Sequence, residues 1–337
     1  MAEIILAIGS SHGPMLSTPP EGWDWRVPDD RRNRHPYRGR SWTFDQLVEE
    51  RRSENLAAQA TLECWRVRHA ACRAAISRLA TIFAETRPDI AILFGDDQME
   101  CFRHGVVPSL GIFYGEQFTN REYSEERIAR LPPGIAPSLP GHIPPGGATY
   151  PGSPDLALHL IREVQARGFD LCAMKRLPDD ETPHAFGFLC RQIMLDRVIP
   201  SIPVFINTFY PPNQPTAARC AELGSALLQA VQSWPHAGRI ALLGSGGLTH
   251  FVIDEAVDQQ VLQAIRSGDV SGITRLPEST FQSGTSEIKN WIPVVAAMSK
   301  LGVPAHIVDY VPCYRSVAGT GNAMGFVYWR GEESRSL

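Results

Sequence analysis

Polar side chains able to bind a metal or move a proton stand just past the ends of apolar runs in this chain. "EIILAIG" (3–9) leads into "SSHGPM", which places His12 beyond it. "DIAILFG" (89–95) runs into "DDQMECF", which brings Asp96, Asp97, Gln98 and Glu100 close together. "FDLCAMK" (169–175) is followed by "LPDDETPHAFGF", with His184 in a polar loop opening a helix. "RIALLGSGG" (239–247) is followed by "LTHF", with His250 after three glycines. "SGTSEIKNW" adds Glu287, read as lying in the first turn of a helix capped by Thr285 or Ser286.

The apolar runs read as strands, and open α/β sheets bind ligands outside the carboxyl ends of their strands. The segments are therefore expected to converge. Each alone is a weak signal: a histidine after a strand can be structural, and "GSGG" can be a turn or a phosphate cradle. A P-loop and a dinucleotide fingerprint are excluded by spacing, and a serine-hydrolase elbow is absent. What survives is a metal site of His12, one or more of the 96–100 cluster, and Glu287, with His184 and His250 as proton-transfer groups. Histidine and carboxylate ligands with open positions suit oxygen-activating Fe(II).

The elements that must position these residues are an alternation of strands and helices. Further strand-like runs are "SLGIFYG" (109–115), "IPVFINTF" (202–209) and "AHIVDYV" (305–311). Helical spacing occurs in 215–233, in 286–301, and in "SPDLALHLIREVQARG", where Ser153 is placed as N-cap, Pro154 opens the helix and Gly168 ends it. A long helix is expected from about residue 54 to 85, with Leu62, Trp65, Cys72, Ile76, Leu79 and Phe83 in its apolar stripe. His69 fills the one gap in that stripe and is either a hydrogen-bonded core residue or a further site residue. The pattern implies an α/β fold: one catalytic domain over 1–330 with a central, mostly buried sheet flanked by helices, its active site at the strand C-terminal ends, and a tail at 331–337.

Two segments fit neither helix nor strand. Residues 17–43 hold three tryptophans and six arginines among prolines and glycines, as a solvated loop or an arm closing over an acidic or aromatic ligand. Residues 132–152 are more than half Pro and Gly, as a linker or a lid. His104, His142, His159, His236 and His306 receive no role.

Composition sets the outer bounds. The 337 residues, 43% hydrophobic and 20% charged, are globular. A net charge of −4 argues against a nucleic-acid partner. Seven cysteines without a CxxC pair suit reduced thiols, hence a cytoplasmic protein. No apolar run approaches the length of a membrane span, and the N-terminal run reads as a strand, not a signal peptide.

Five pieces, "SSHGPM", "PDIAILFGDDQMECF", "FINTFYPP", "LLGSGGLTHF" and "GTSEIKNW", resemble the class III extradiol ring-cleavage dioxygenases, the family of the protocatechuate 4,5-dioxygenase β subunit, and come in that family's order. The resemblance implies that His12 and Glu287 bind Fe(II), that His184 and His250 are acid/base groups, and that a small hydroxylated aromatic and O2 are the substrates. A homo-oligomer is expected. The family ends its second strand in Asp-His, the histidine being the third ligand; here Asp97 matches the Asp and Gln98 stands in the histidine's place.

Three states of the site follow. Gln98 ligates through its oxygen and holds Fe(II) less tightly; or Asp96, Asp97 or Glu100 ligates and gives a neutral site suited to Mn2+ or another oxygen-preferring ion; or metal binding is lost. A dead site has no physical need of both histidines and Glu287. The leading reading is an Fe(II)-dependent extradiol-type dioxygenase in which His250 takes a phenolic proton and His184 donates one, with exchanged roles also open. The alternatives are a metal-dependent enzyme of another class, such as a hydrolase, and a non-catalytic relative.

Overall fold

Alternate side chains of the apolar runs face opposite ways into two cores. In the computed structural model, which describes residues 2–103 and 105–331, Ile92 and Phe94 pack into one core and Ala91 and Leu93 into the other. Leu242 is divided from Ala241 and Leu243 in the same way. A sheet covered on both faces needs apolar residues at every position, which is why these runs are unbroken.

Nine strands form the main sheet: β1 (Ala2–Ser10), β2 (Ile90–Gly95), β3 (Leu110–Phe113), β4 (Cys172–Met174), β5 (Ser201–Ile206), β6 (Gly238–Ser245), β7 (His250–Val252), β8 (Ala305–Tyr314) and β9 (Thr320–Arg330). Their order is β7-β9-β1-β6-β2-β5-β3-β4, and β8 also pairs with β9. The neighbours β1, β6, β2 and β5 run parallel, whereas β9 is antiparallel to β1, β7 and β8. The parallel register sets Ser10 beside Ser245 and Gly244 beside Phe94. The segments carrying His12, Asp96 and His250 therefore leave the sheet at one edge.

Helix α1 (Leu62–Thr86) covers one face, burying Trp65, Cys72, Ile76, Leu79 and Phe83. Helices α2 (Pro154–Ala166), α3 (Ala217–Gln232), α4 (Glu255–Ser267) and α5 (Ile292–Leu301) cover the other. Each fully buried leucine or isoleucine contributes about 1.5–3 kcal/mol, so the layers fix the strand ends firmly. The fold is α/β, with a mixed central sheet between helices.

Several local expectations change. The stretch before α1 is a separate short helix, Leu56–Gln59, and α1 begins after Thr61, whose hydroxyl accepts a hydrogen bond from the Cys64 N–H. Ser153 makes no side-chain cap. The 17–43 segment is not irregular: it holds a 3-10 turn (Pro20–Arg26), a short helix (Val27–Arg32) and a hairpin (His35–Tyr37 with Arg40–Trp42). Within 132–152, Ala136–Gly141 is a 3-10 turn and Ala148–Pro151 pairs with Gln117–Asn120. His104 and residues 332–337 of the expected tail lie outside the described residues. No helix among those described is long and apolar enough to cross a membrane.

Candidate metal centre

His12 is held two residues past β1 because Ser11 is tied to β9. The Ser11 N–H donates to the Gly325 carbonyl (3.0 Å), and the Ser11 hydroxyl accepts from the Gly325 N–H (2.9 Å). The His12 ring is oriented by Ser245 Oγ, 2.9 Å from Nδ1. Its Nε2 thus faces inward, 3.0 Å from Glu287 Oε2 and 3.1 Å from His184 Nε2.

Glu287 does not sit in the first turn of an α-helix. It belongs to a 3-10 segment, Ser283–Asn290, that precedes α5. With three residues per turn, positions 287 and 290 share a face, so Glu287 and Asn290 both point at the strand ends. Asn290 Nδ2 donates to Asp96 Oδ1 (2.8 Å) and to the Ser245 carbonyl (2.9 Å), which fixes Asp96 behind the site. His12, Asp96 and Glu287 each present a ligand atom within 4.8 Å of the others.

The neighbouring acids have other work. The Asp97 carboxylate accepts the backbone N–H groups of Glu100, Cys101 and Phe102 at 2.8–3.2 Å, closing the turn after β2. Glu100 accepts from His184 twice, from the backbone N–H (3.1 Å) and from Nδ1 (2.7 Å). Neither is directed at the His12–Glu287 pair as a ligand. Gln98 lies at the site beside Glu287, its amide Nε2 donating to Glu287 Oε1 (2.7 Å), so it turns a donor toward the carboxylate.

His250 fits a slot made by glycines. A Cβ on Gly247 or Gly284 would come within 2.3 or 2.1 Å of its ring, which accounts for glycine in both motifs. Its Nδ1–H donates to the Leu248 carbonyl (2.9 Å), leaving Nε2 3.3 Å from Glu287 Oε1. His69, by contrast, is remote from this cluster; it is half-buried on α1, edge-on to Trp23 at 6.3 Å, so the gap in the apolar stripe is a packing feature. His159, His236 and His306 pack against Trp234, Trp234 and Tyr328.

The electrostatics follow the geometry. Burial opposes ionisation of Glu287, but His250 and His12 outweigh it and hold its carboxyl well below the ordinary range. Burial, then the charge of Glu287, pushes Asp96 up to about 7. Burial lowers His12. Burial also opposes charge on His184, yet Glu100 overrides it and raises the imidazole to about 10. Among the described residues, two buried carboxylate oxygens, Asp96 Oδ2 and Glu287 Oε2, have no hydrogen-bond partner, although His12 Nε2 lies 3.0 Å from the latter. Bare carboxylate oxygens are costly in a dry interior, and a divalent cation among one imidazole and two carboxylates would satisfy both.

The cluster opens on a cavity of about 410 Å3. Its lining includes His12, Gln98, His184, His250 and Glu287, together with Arg26, Leu131, Ile135, Leu139 and Phe188. Residues 131–142 thus roof the cavity. Sequence reasoning gave His142 no role, but it lines this roof, its ring 5.9 Å from that of His184. Burial, then the charge on His184, lowers it to about 3.

Comparison with known proteins agrees with the motifs. Over 183 residues, 54% of this chain, the protein is 27% identical to a 2,3-dihydroxyphenylpropionate/2,3-dihydroxicinnamic acid 1,2-dioxygenase of Comamonas testosteroni, covering 47% of it. It is 26% identical to a gallate dioxygenase of Pseudomonas putida over 53% of this chain and 54% of the relative. The chain thus spans about half the length of the curated relatives it matches. A crystal structure of an uncharacterized protein from Escherichia coli K12 overlaps with a TM-score of 0.46 at 14% identity, covering 96% of this chain and 99% of that one. The pattern of the catalytic LigB subunit of aromatic ring-opening dioxygenases matches residues 76–323, which include Asp96, His184, His250 and Glu287, and the chain belongs to that family.

Proposed function

We propose that this protein is a ring-opening dioxygenase that uses a redox-active divalent metal, Fe(II) or Mn(II), to cleave an aromatic ring bearing adjacent hydroxyls with O2. In this reading His12, Asp96 and Glu287 hold the metal. The observation that carries it is the pair of partnerless buried oxygens, Asp96 Oδ2 and Glu287 Oε2, gathered with His12 beside a cavity sized for one substituted ring. Asp96 takes the ligand role expected of Gln98, and the donor set becomes one imidazole and two carboxylates. With a divalent ion its formal charge is zero, and its extra oxygen donor favours harder ions than a two-imidazole set does.

The bound ion supplies the path by which electrons pass from the aromatic diol to O2. The chain's own groups handle protons and position. His250 presents Nε2 as a base, because its Nδ1–H is committed to the Leu248 carbonyl. His184 is the acid: Glu100 accepts its Nδ1–H and stabilises the imidazolium, so that Nε2–H, 3.1 Å from His12 Nε2, is the proton it gives up. Gln98 orients Glu287 through its amide donor. Leu131, Ile135, Leu139 and Phe188 keep water from the ring.

Metal analysis of protein purified without oxygen, followed by oxygen-electrode assays on a panel of catechols, tests this. About one redox-active ion per chain and oxygen uptake with loss of the catechol are expected. Bound metal without uptake on any catechol points instead to the hydrolase-type reading, and absence of metal to a non-catalytic relative.

A further inference from the structure

One cationic side chain in the cavity wall makes no ion pair among the described residues. Arg26 ends the Pro20–Arg26 turn and lines the cavity that holds His12 and Glu287. Its Nε is buried without a hydrogen-bond partner, and no ion pair among the described residues uses its guanidinium. The nearby acids are engaged elsewhere. Asp30 is held by Arg315 through both oxygens (2.8 and 2.7 Å) and by the Thr320 hydroxyl (2.6 Å), and Asp29 pairs with Arg32. Burial, then the charge of Arg315, lowers Arg26 to about 10.

The stem of Arg26 is clamped by the roof. Gly134 has φ +78°, and a Cβ there would come within 2.9 Å of Arg26 Cγ. Nε, the atom left bare, is one of the two donors that a side-on carboxylate engages. Arg26 is half-buried, and its buried Nε is costly to leave without a partner, which an anion would supply.

We propose that Arg26 is the anion anchor of this cavity: it binds a carboxylate carried by the aromatic ligand and sets the protein's preference for anionic over neutral rings. The identity of the ring rests on the ring-opening reading above; the anion rests on Arg26 alone.

The test uses benzoate and its neutral isostere benzamide, titrated calorimetrically into the full-length protein. Wild type is expected to bind benzoate at least about tenfold more tightly than benzamide. Arg26→Met should erase that preference, while Arg26→Lys keeps part of it. Equal binding of the two ligands by wild type overturns the proposal, whatever the variants do. So does an Arg26→Met protein, with an unchanged melting temperature, that still prefers benzoate. The two readings fail separately. Preference lost in Arg26→Met, with no catechol consumed, supports the anchor and removes the ring-opening reading. Oxygen uptake on carboxylated and plain catechols that Arg26→Met alters equally removes the anchor alone.

Discussion

Two kinds of buried acid lie in this molecule. Asp30 and Asp258 have every oxygen occupied: Asp30 by Arg315 and Thr320, and Asp258 by the Thr249 N–H, the Thr249 hydroxyl and the Tyr310 hydroxyl, all at 2.8 Å. Asp96 and Glu287 are as deeply buried, yet each keeps one oxygen without a partner. Asp30 ties the 17–43 segment to the start of β9, and Asp258 holds the turn before His250. Their oxygens are committed to architecture. In the second pair the architecture holds the carboxylates but leaves one oxygen of each to something else. In the proposed site, incomplete satisfaction, not burial, separates the ligands from the struts.

This contrast can be broken at several points. The largest effect is expected at Asp30→Ala, which strands the buried Arg315 charge and should cost about 3–5 kcal/mol in denaturant unfolding. Asp96→Asn should cost nothing in metal-free protein, because it removes a charge beside Glu287 and keeps an acceptor for Asn290; a loss as large as that of Asp30→Ala would erase the distinction. Next comes Glu100→Gln, which removes the charge that stabilises protonated His184 and should lower kcat by about a hundredfold with little change in melting temperature. The last effect is a pH dependence. Burial raises Asp258 to about 7, so the folded state keeps a proton that the unfolded chain releases near 4. Its stabilising contribution is full below pH 4 and is lost as pH rises through 7. Across that window wild type should lose stability relative to Asp258→Asn, as read from urea unfolding.

Much of this was legible in the sequence, because apolar runs and the residues that end them are local signals. The strands before His12, Asp96 and His250 were identifiable, and so was the amphipathic stripe of α1. Strand β9 was not: "TGNAMGFVYWR" mixes glycine and asparagine into a central strand, since Gly321 closely approaches the Cys313 carbonyl and Gly325 packs against Leu248 and Trp291. Which acid in "DDQME" turns inward was likewise hidden. It depends on Asn290 reaching back across the chain to fix Asp96, and on the turn that consumes Asp97. Roof residues such as His142 gave no signal, because a Pro-Gly segment does not reveal its path. Arg26 was one of six arginines in its segment, and only burial without a partner sets it apart.

The central claim is that Asp96, not Gln98, completes the metal site. Mn(II) titrated into metal-free protein, with free ion followed by electron paramagnetic resonance, tests it directly on wild type, Asp96→Asn and Gln98→Ala. Asp96→Asn should weaken binding by more than about a hundredfold, and Gln98→Ala by less than about tenfold. Wild-type affinity in Asp96→Asn together with lost binding in Gln98→Ala would contradict it.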